Sequence, residues 1–528
     1  MPVRAPSDVE RRLQRRTFLA SASAMACWPF LDLRVGTAAD RRIRLPDDPF
    51  ALGVASGDPA PDGCVLWTRL CPDPWNDGGM PAEDVQVEWQ VAHDEGMTKV
   101  VRRGIANAAA DWAHSVHVEL EGLQPDRVYW YQFKTGMHTS PIGRTRTAPA
   151  ADAQPERLRF AFASCQRYED GHFTAYEHMA QDDLQAVIHL GDYIYENSPK
   201  AGSPRHFKSS EIFSLQDYRR RHAIYRTDPH LQAAHAAFPW IVTWDDHEVD
   251  NNYASGIASE AGVDPAAFLL RRAAAYKAYY EHMPLRRTAV PRGPHMDLYR
   301  RVTFGRMAEF SVLDTRQYRS DQPCGDGYCP PCEGVRDPQA TMLGAGQDQW
   351  LRQGLARSAA RWNVLAQQVM IAPVNFASGD AAEEKLIYSM DKWSAYEVPR
   401  TELLTFLAEQ KVANPVVLTG DVHCNWVNDL RVDFNRPDSP LVGTEFVGTS
   451  ITSRGDGAET RENTKAVLAN NPFVKFFNDQ RGYVRCELTA NEWRSDYRTV
   501  EYVSRPGAPC RTRASFVVEN GRPGAEQA

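Results

Sequence analysis

LQAVIHLGDYIYE (184–196) and NPVVLTGDVH (414–423) decide the fold. Each is a short, almost continuous apolar run that ends at a glycine followed by a carboxylate. A strand without polar alternation is buried on both faces, as in a sheet held between other layers. Near-continuous apolar runs without the glycine recur in LRFAFASC (158–165), PWIVTWDD (239–246), MAEFSVLDTR (307–316) and WNVLAQQVMIAP (362–373). Helical stretches intervene: FTAYEHMAQDD (173–183), AAFLLRRAAAYKAYYEHM (266–283), GQDQWLRQGLARSA (346–359) and RTELLTFLAEQK (400–411). Strands alternating with helices specify a layered α/β domain, here spanning 157–505.

Several of these strands end in residues that bind metals: Cys165, Asp192, the run Asp245-Asp246-His247, Asp314, and the pair Asp421 and His423. In such folds ligands gather beyond the carboxyl ends of the strands. Taken singly, each residue has an ordinary reading. An Asp after Gly is a turn or a helix cap, Cys165 a small buried hydrophobe, His423 a core histidine. The recurrence at successive strand ends favours a shared cation site.

The chemistry follows from the residue types. Asp192 can offer one oxygen to each of two cations. Tyr195, three residues on, binds only a strongly Lewis-acidic ion, because phenol otherwise keeps its proton to a pH of about 10. A Cys165 thiolate in the same set favours a softer or oxidised metal, such as ferric iron, over magnesium. Asp421 and His423 add a carboxylate and an imidazole. In WDDHEVDNN (244–252), Asp246 suits a second ion, and Asn251 and Asn252 offer amide oxygens to it. His247, positioned by Asp245 or Glu248, suits a general acid for a leaving oxygen. Water activated by such ions and attacking phosphorus in line is the reaction this set supports.

Outward from this domain, residues 46–149 have another pattern. CVLWTRL (64–70), VQVEWQVA (85–92), SVHVELEGL (115–123) and RVYWYQFKTG (127–136) are alternating strands separated by Pro, Asp and Gly. LEGLQPDRVYWYQF (120–133) resembles the part of a fibronectin type III-like sandwich that carries a strand-start tyrosine, and a small β-sandwich is expected. APAADAQPE (148–156) is the linker, and residues 506–528 read as a polar tail.

The first 40 residues form a leader. RRLQRRTFLA (11–20) contains Arg15-Arg16, and the Ala/Ser-rich ASASAMACWPFLDL (20–33) and the small residues of VGTAAD (35–40) follow. The layout is that of a signal peptide, and the twin arginine before an apolar pair resembles a Tat signal. Export by the Tat machinery to the periplasm or beyond is expected. No later apolar run of about 18 residues exists, so no transmembrane span is expected. A chain of 528 residues exceeds one core, consistent with two domains and a leader. Its net charge of -8 provides no basic nucleic-acid surface. Ten cysteines include CGDGYCPPC (324–332), read as a loop-stapling disulfide, with a zinc knuckle as the alternative.

FALGVASGDP (50–59), VLWTRL (65–70), FASCQ (162–166), HLGDYIYE (189–196), WDDHEVDNN (244–252), LDTRQYR (313–319), GQDQWL (346–351), QQVMIAP (367–373) and LTGDVHCNW (418–426) together resemble, in order, the PhoD-type alkaline phosphatase/phosphodiesterase family. That family is similar to purple acid phosphatases. The resemblance implies a four-layer α/β metallophosphoesterase sandwich behind an N-terminal β-sandwich, and hydrolysis of phosphate mono- and diesters after export. It implies ferric iron on Cys165, Asp192, Tyr195 and His423. It implies calcium on Asp192 and Asp421, with Asp246 or Asn252 completing the set. The residues themselves also allow manganese or magnesium in calcium's place. Arg167 and Arg316 are candidate phosphate clamps, and a monomer is expected. The alternative keeps the fold but makes it a phospholipase D-like diesterase acting on lipid headgroups, for which the aromatic segment YKAYYEHM (276–283) would supply an apolar rim. A non-catalytic adhesion protein would have lost the ligand set, which is intact.

Overall fold

Residue alternation along the strands builds the layers. In Arg157–Ala163 the large side chains Phe160 and Phe162 point one way and Ala161 and Ala163 the other. The first pair joins a core between two sheets; the second packs under helices. Pro415–Thr419 repeats the division, with Val416 and Leu418 between the sheets and Val417 under the helices of the opposite side. The computed structural model describes residues 45, 47–377 and 385–528. The expected leader, 1–40, lies outside them.

The first sheet has ten strands. At its centre Arg157–Ala163, Ala186–His189, Pro239–Val242 and Val54–Ala60 run parallel. The second has seven, with Ala308–Val312, Trp362–Ala366, Pro415–Thr419 and Leu441–Val447 parallel. Helices Thr174–Met179, Leu215–Arg226, Pro229–Ala237 and Pro265–His282 cover the first sheet, and Gly344–Arg357, Glu397–Glu409 and Thr464–Asn470 the second. The order helix, sheet, sheet, helix is a layered α/β domain, as the strand and helix pattern predicts, and the four-layer sandwich that the family resemblance implies. Among the described residues no helix is long and apolar enough to cross a membrane.

The N-terminal β-rich region shares a sheet with the larger domain. Val85–Ala92, Val100–Ala108, Val128–Thr135, His138–Thr139 and Gly143–Arg146 form a separate five-stranded sheet. The facing layer, Val54–Ala60, Gly63–Arg69 and Ser115–Glu119, continues the ten-stranded sheet through the pairing of Ser56 with Pro239. Cys64 lies 3.5 Å from the Thr145 hydroxyl where the two layers meet.

The reading of 506–528 as a tail is corrected. Cys510–Glu519 pairs along its length with Glu492–Val500, and Glu526–Gln527 closes the sheet edge. Ala514, Phe516 and Val518 are buried in the inter-sheet core. Their alternation with Arg511, Arg513 and Ser515 is strand patterning hidden by the charged residues and the preceding Pro and Gly. In the cysteine-rich loop Cys324 is bonded to Cys332, while Cys329 is free. Tyr276, Tyr279 and Tyr280 are buried against the first sheet and furnish no apolar rim.

Candidate metal centre

The parallel strands deliver their terminal residues to one place. Cys165 follows Ala163 by two residues, Asp192 follows His189 by three, Asp245 follows Val242 by three, and Asp421 follows Thr419 by two. The turns are tight and interlocked: Cys165 N donates to Gly191 O at 3.0 Å and Gln166 N to Asp192 O at 3.0 Å. Gly191 has φ 109°, and a side chain there would press on the backbone of Asp245 and lie 2.7 Å from the Trp244 carbonyl carbon. Only glycine lets these two loops approach.

Five candidate ligands have left-handed backbones: Cys165 (φ 59°), Asp192 (56°), Asn252 (53°), Asp421 (64°) and His423 (59°). Non-glycine residues hold this strained conformation where the surroundings impose it, commonly at functional sites.

Three overlapping groups of donor atoms result, each with its atoms within 4.8 Å of one another: Cys165, Asp192 and His423; Asp192, Asp246 and His247; and Asp245, Asp246 and Asp421. Asp192 joins the first two and Asp246 the last two. Tyr195 closes the first group, its hydroxyl 2.8 Å from Asp192 Oδ2 and 3.1 Å from His423 Nε2. Asn252 meets the cluster through its backbone, whose N–H donates to Asp246 Oδ2 at 2.7 Å, while its side-chain Nδ2 donates to Asp326 at 3.1 Å.

These groups fit cations. Buried carboxylate oxygens are normally hydrogen-bonded, yet Asp192 Oδ1, Asp245 Oδ2 and Asp246 Oδ1 have no hydrogen-bond partner, nor has His423 Nδ1. Burial, then the neighbouring carboxylates Asp246, Asp245 and Glu248, push the Asp192 carboxyl well above its ordinary range. Burial and the Asp192 charge do the same to the Cys165 thiol and the Tyr195 phenol. Burial holds His423 neutral, with Arg454 and Arg481 adding to the effect. A neutral imidazole beside crowded acids is the protonation pattern a cation would exploit by displacing protons.

The surrounding residues hold this crowd in place. Expectation and structure differ over His247. Neither Asp245 nor Glu248 positions it: its Nδ1 bonds Glu196 Oε2 at 2.7 Å. Burial alone would lower its pKa, but Glu196, Asp246 and Asp192 hold the imidazolium well above the usual histidine range. Glu248 instead accepts the backbone N–H groups of Asp192 (3.1 Å), Tyr193 (2.5 Å) and Asp245 (2.8 Å), clasping two strand ends together. Burial raises its carboxyl to about 8.

The clamp role expected for Arg316 is corrected. The side chain is fully buried and bonded to Asp245, to Asp391 at 2.7 Å and to Asp421 at 3.3 Å, with Asp246 at 3.6 Å. A guanidinium enclosed by four carboxylates positions them and has no face for substrate. Burial works against the Asp246 charge, but Arg316 and His247 hold its carboxyl down to about 2. Arg167 remains at the edge, 5.1 Å over the Tyr195 ring, with Nε on Glu169 at 2.7 Å. Asp314 faces its own turn, accepting from the Arg316 and Gln317 N–H groups at 2.9 Å each.

Sequence reasoning missed Glu196, Asp391 and Lys392. Glu196 was visible as the acid closing GDYIYE, one residue beyond Tyr195. Asp391 and Lys392 follow no apolar strand of the repeated form and carried no signal.

Comparison with known proteins bears on the fold and the family. The family described as PhoD-like phosphatase matches residues 160–497, and the one described as PhoD-like phosphatase, N-terminal domain, matches 36–149. Alkaline phosphatase D of Bacillus subtilis (strain 168) is 55% identical over 481 residues, covering 90% of this chain and 82% of that protein. A solved structure of PhoD superposes with a TM-score of 0.89 at 54% identity, covering 92% of this chain and 93% of the other.

Proposed function

Because the chain belongs to the PhoD-like phosphatase family, and so is a phosphoester hydrolase, we propose that it is an exported, metal-dependent alkaline phosphatase and phosphodiesterase that uses the cluster around Asp192. Cys165, Asp192, Tyr195 and His423 would hold ferric iron. Asp192, Asp246 and Asp421, with Asn252 as a further oxygen donor, would hold calcium, or manganese or magnesium in its place. Bound there, such ions would neutralise phosphoryl charge and lower the pKa of water to make a nucleophile near neutral pH.

The chain's own residues have distinct tasks. Glu196 fixes the Nδ1 side of His247, leaving Nε2 to hold a proton for the leaving oxygen. Arg167, over Tyr195, flanks the phosphoryl group. Arg316 and Glu248 fix carboxylates and loops. The convergence of unpartnered Asp192 and Asp246 oxygens on one spot carries this reading.

The test is elemental analysis of natively exported enzyme together with turnover of p-nitrophenyl phosphate and bis-p-nitrophenyl phosphate. Iron with calcium, and activity abolished by chelation, is the expected result. Undiminished turnover by a chain carrying Asp192→Ala and His423→Ala would refute it. For export, Arg15→Lys with Arg16→Lys should leave precursor in the cytoplasm; unchanged secretion would remove the Tat assignment.

A further inference from the structure

Lys392 sits in a loop just before the short helical turn Trp393–Ala395. Its ammonium contacts Asp421 Oδ2 and lies 3.6 Å from Asp391 Oδ2, with 12% of the side chain exposed. Asp391 cannot be its lasting partner. That carboxylate is buried and accepts from Arg316 Nη1 at 2.7 and 3.0 Å, from Arg319 Nη2 at 2.8 Å and from Gln322 Nε2 at 3.0 Å. Asp421 is in the group with Asp245 and Asp246, the part of the cluster assigned above to the second cation. A cation on Asp421 removes the attraction that holds the ammonium, because one carboxylate cannot neutralise both. Arg316 and Arg319 repel the displaced charge and are fully buried, whereas Lys392, like His247 and His423, keeps part of its side chain exposed. The ammonium would therefore move toward solvent, the direction from which a phosphoryl dianion would enter. A flexible four-carbon stem lets an ammonium shift by a few ångströms without moving backbone, and lysine is an effective point-charge ligand for phosphate.

We infer that Lys392 is a catalytic residue that binds a non-bridging oxygen of the substrate phosphoryl group, Asp421 being its partner only until substrate and cations are present. The inference rests on the proposed assignment of Asp421 as a cation ligand. In the working site Lys392 contributes binding in both the ground state and the transition state.

The experiment uses metal-loaded enzyme and the variants Lys392→Met, Lys392→Gln and Lys392→Arg. Bound metal is measured alongside kcat, KM and the affinity for inorganic phosphate by calorimetry. Metal content should be unchanged in all three. In the Met and Gln variants phosphate affinity should fall about ten- to a hundredfold, the range for loss of one charge-assisted hydrogen bond, with most of the loss in kcat/KM residing in KM. Lys392→Arg should recover most of both. Loaded Met or Gln variants with unaltered KM and phosphate affinity would overturn the inference. So would loss of metal in those variants alone, since Lys392 would then be only a support for Asp421. Wild-type enzyme that binds phosphate yet holds no metal would overturn the underlying site assignment instead.

Discussion

Replacing Glu196 by Gln tests the acid chemistry most directly. The Glu196 side chain is fully buried, and Oε2 accepts from His247 Nδ1 at 2.7 Å while Oε1 accepts from Asn251 N at 3.0 Å. Glutamine keeps the size and an acceptor oxygen but removes the charge. A hydrogen bond to a charged group contributes about 1.5–3 kcal/mol, and 1.36 kcal/mol corresponds to one pKa unit, so the His247 pKa should fall by about one to two units. The sign follows: Glu196 raises the pKa of His247, so without it the imidazolium loses its proton at lower pH. The alkaline limb of the kcat/KM profile should therefore move to lower pH by about one to two units. Two substrates separate this from general damage. An alkyl phosphate, whose leaving oxygen needs a proton, should lose far more activity than p-nitrophenyl phosphate, whose phenolate leaves readily. A folded, metal-loaded Glu196→Gln enzyme with an unmoved alkaline limb and equal losses on both substrates would refute His247 as the acid.

Asp192→Asn should abolish binding of both cations, with activity falling more than the roughly 100-fold typical of losing an outer-shell partner. The same variant should raise the melting temperature of metal-free protein at neutral pH, because the unfolded chain ionises a carboxyl whose charge burial and acidic neighbours disfavour in the fold, and Asn removes that difference. Differential scanning calorimetry with and without chelator checks both, and a lower metal-free melting temperature would contradict the second. Deleting residues 506–528 removes a paired strand carrying Phe516 and Val518, and should give insoluble chain; a soluble product with native circular dichroism would contradict it. His117 is pushed down to about 4 by burial, although its Nε2 meets the Tyr280 and Met283 carbonyls at 3.0 Å each. With the folded pKa below the unfolded 6.5, its contribution is complete above pH 6.5 and is lost toward pH 4, by up to about 3 kcal/mol. His117→Gln should flatten urea-denaturation stability between those pH values, and an unchanged slope would refute this.

The strand-end residues were legible because fully buried parallel strands are simple in sequence: apolar, short, and stopped by a glycine and a carboxylate. Asp192, Asp421 and His423 follow strands of this form, and Cys165 and Asp246 follow apolar strands that lack the glycine. Contacts made across the fold were not legible. LDTRQYR gives no sign that Arg316 ends beneath four carboxylates, because the partners come from three other segments. The choice of Glu196 over Asp245 for His247 likewise depends on where two loops cross. The shared sheet was hidden for another reason. Val54–Ala60 reads VASGDPA, without alternation and interrupted by Gly and Pro, and nothing in it shows that one edge pairs with Pro239–Val242 of the next domain.

The placement of strain argues for function independently of any relative. Left-handed backbone at a non-glycine residue costs of order 1 kcal/mol or more, and a buried carboxylate oxygen without a partner costs a further amount of similar size. Both features also occur elsewhere in the chain, left-handed backbone at Ala113, Asp126 and Lys411 and unpartnered atoms at Ser56 and Thr444, so what distinguishes this cluster is their concentration. Here Cys165, Asp192, Asp421 and His423 are strained, and Asp192, Asp245 and Asp246 are incompletely bonded, within one set of overlapping groups. Around them the structure is rigid: Glu248 clasps two loops, Arg316 ties together carboxylates from separate segments, and Gly191 permits backbone contact. A fold selected only for stability would replace Asp192 first, since burial and its acidic neighbours disfavour its charge. Their joint presence within one hydrogen-bonded frame is accounted for by a bound state in which cations satisfy the orphaned oxygens. A ligand present at 100 times its Kd stabilises the form it binds by about 2.7 kcal/mol, enough to offset much of the strain the empty cluster carries.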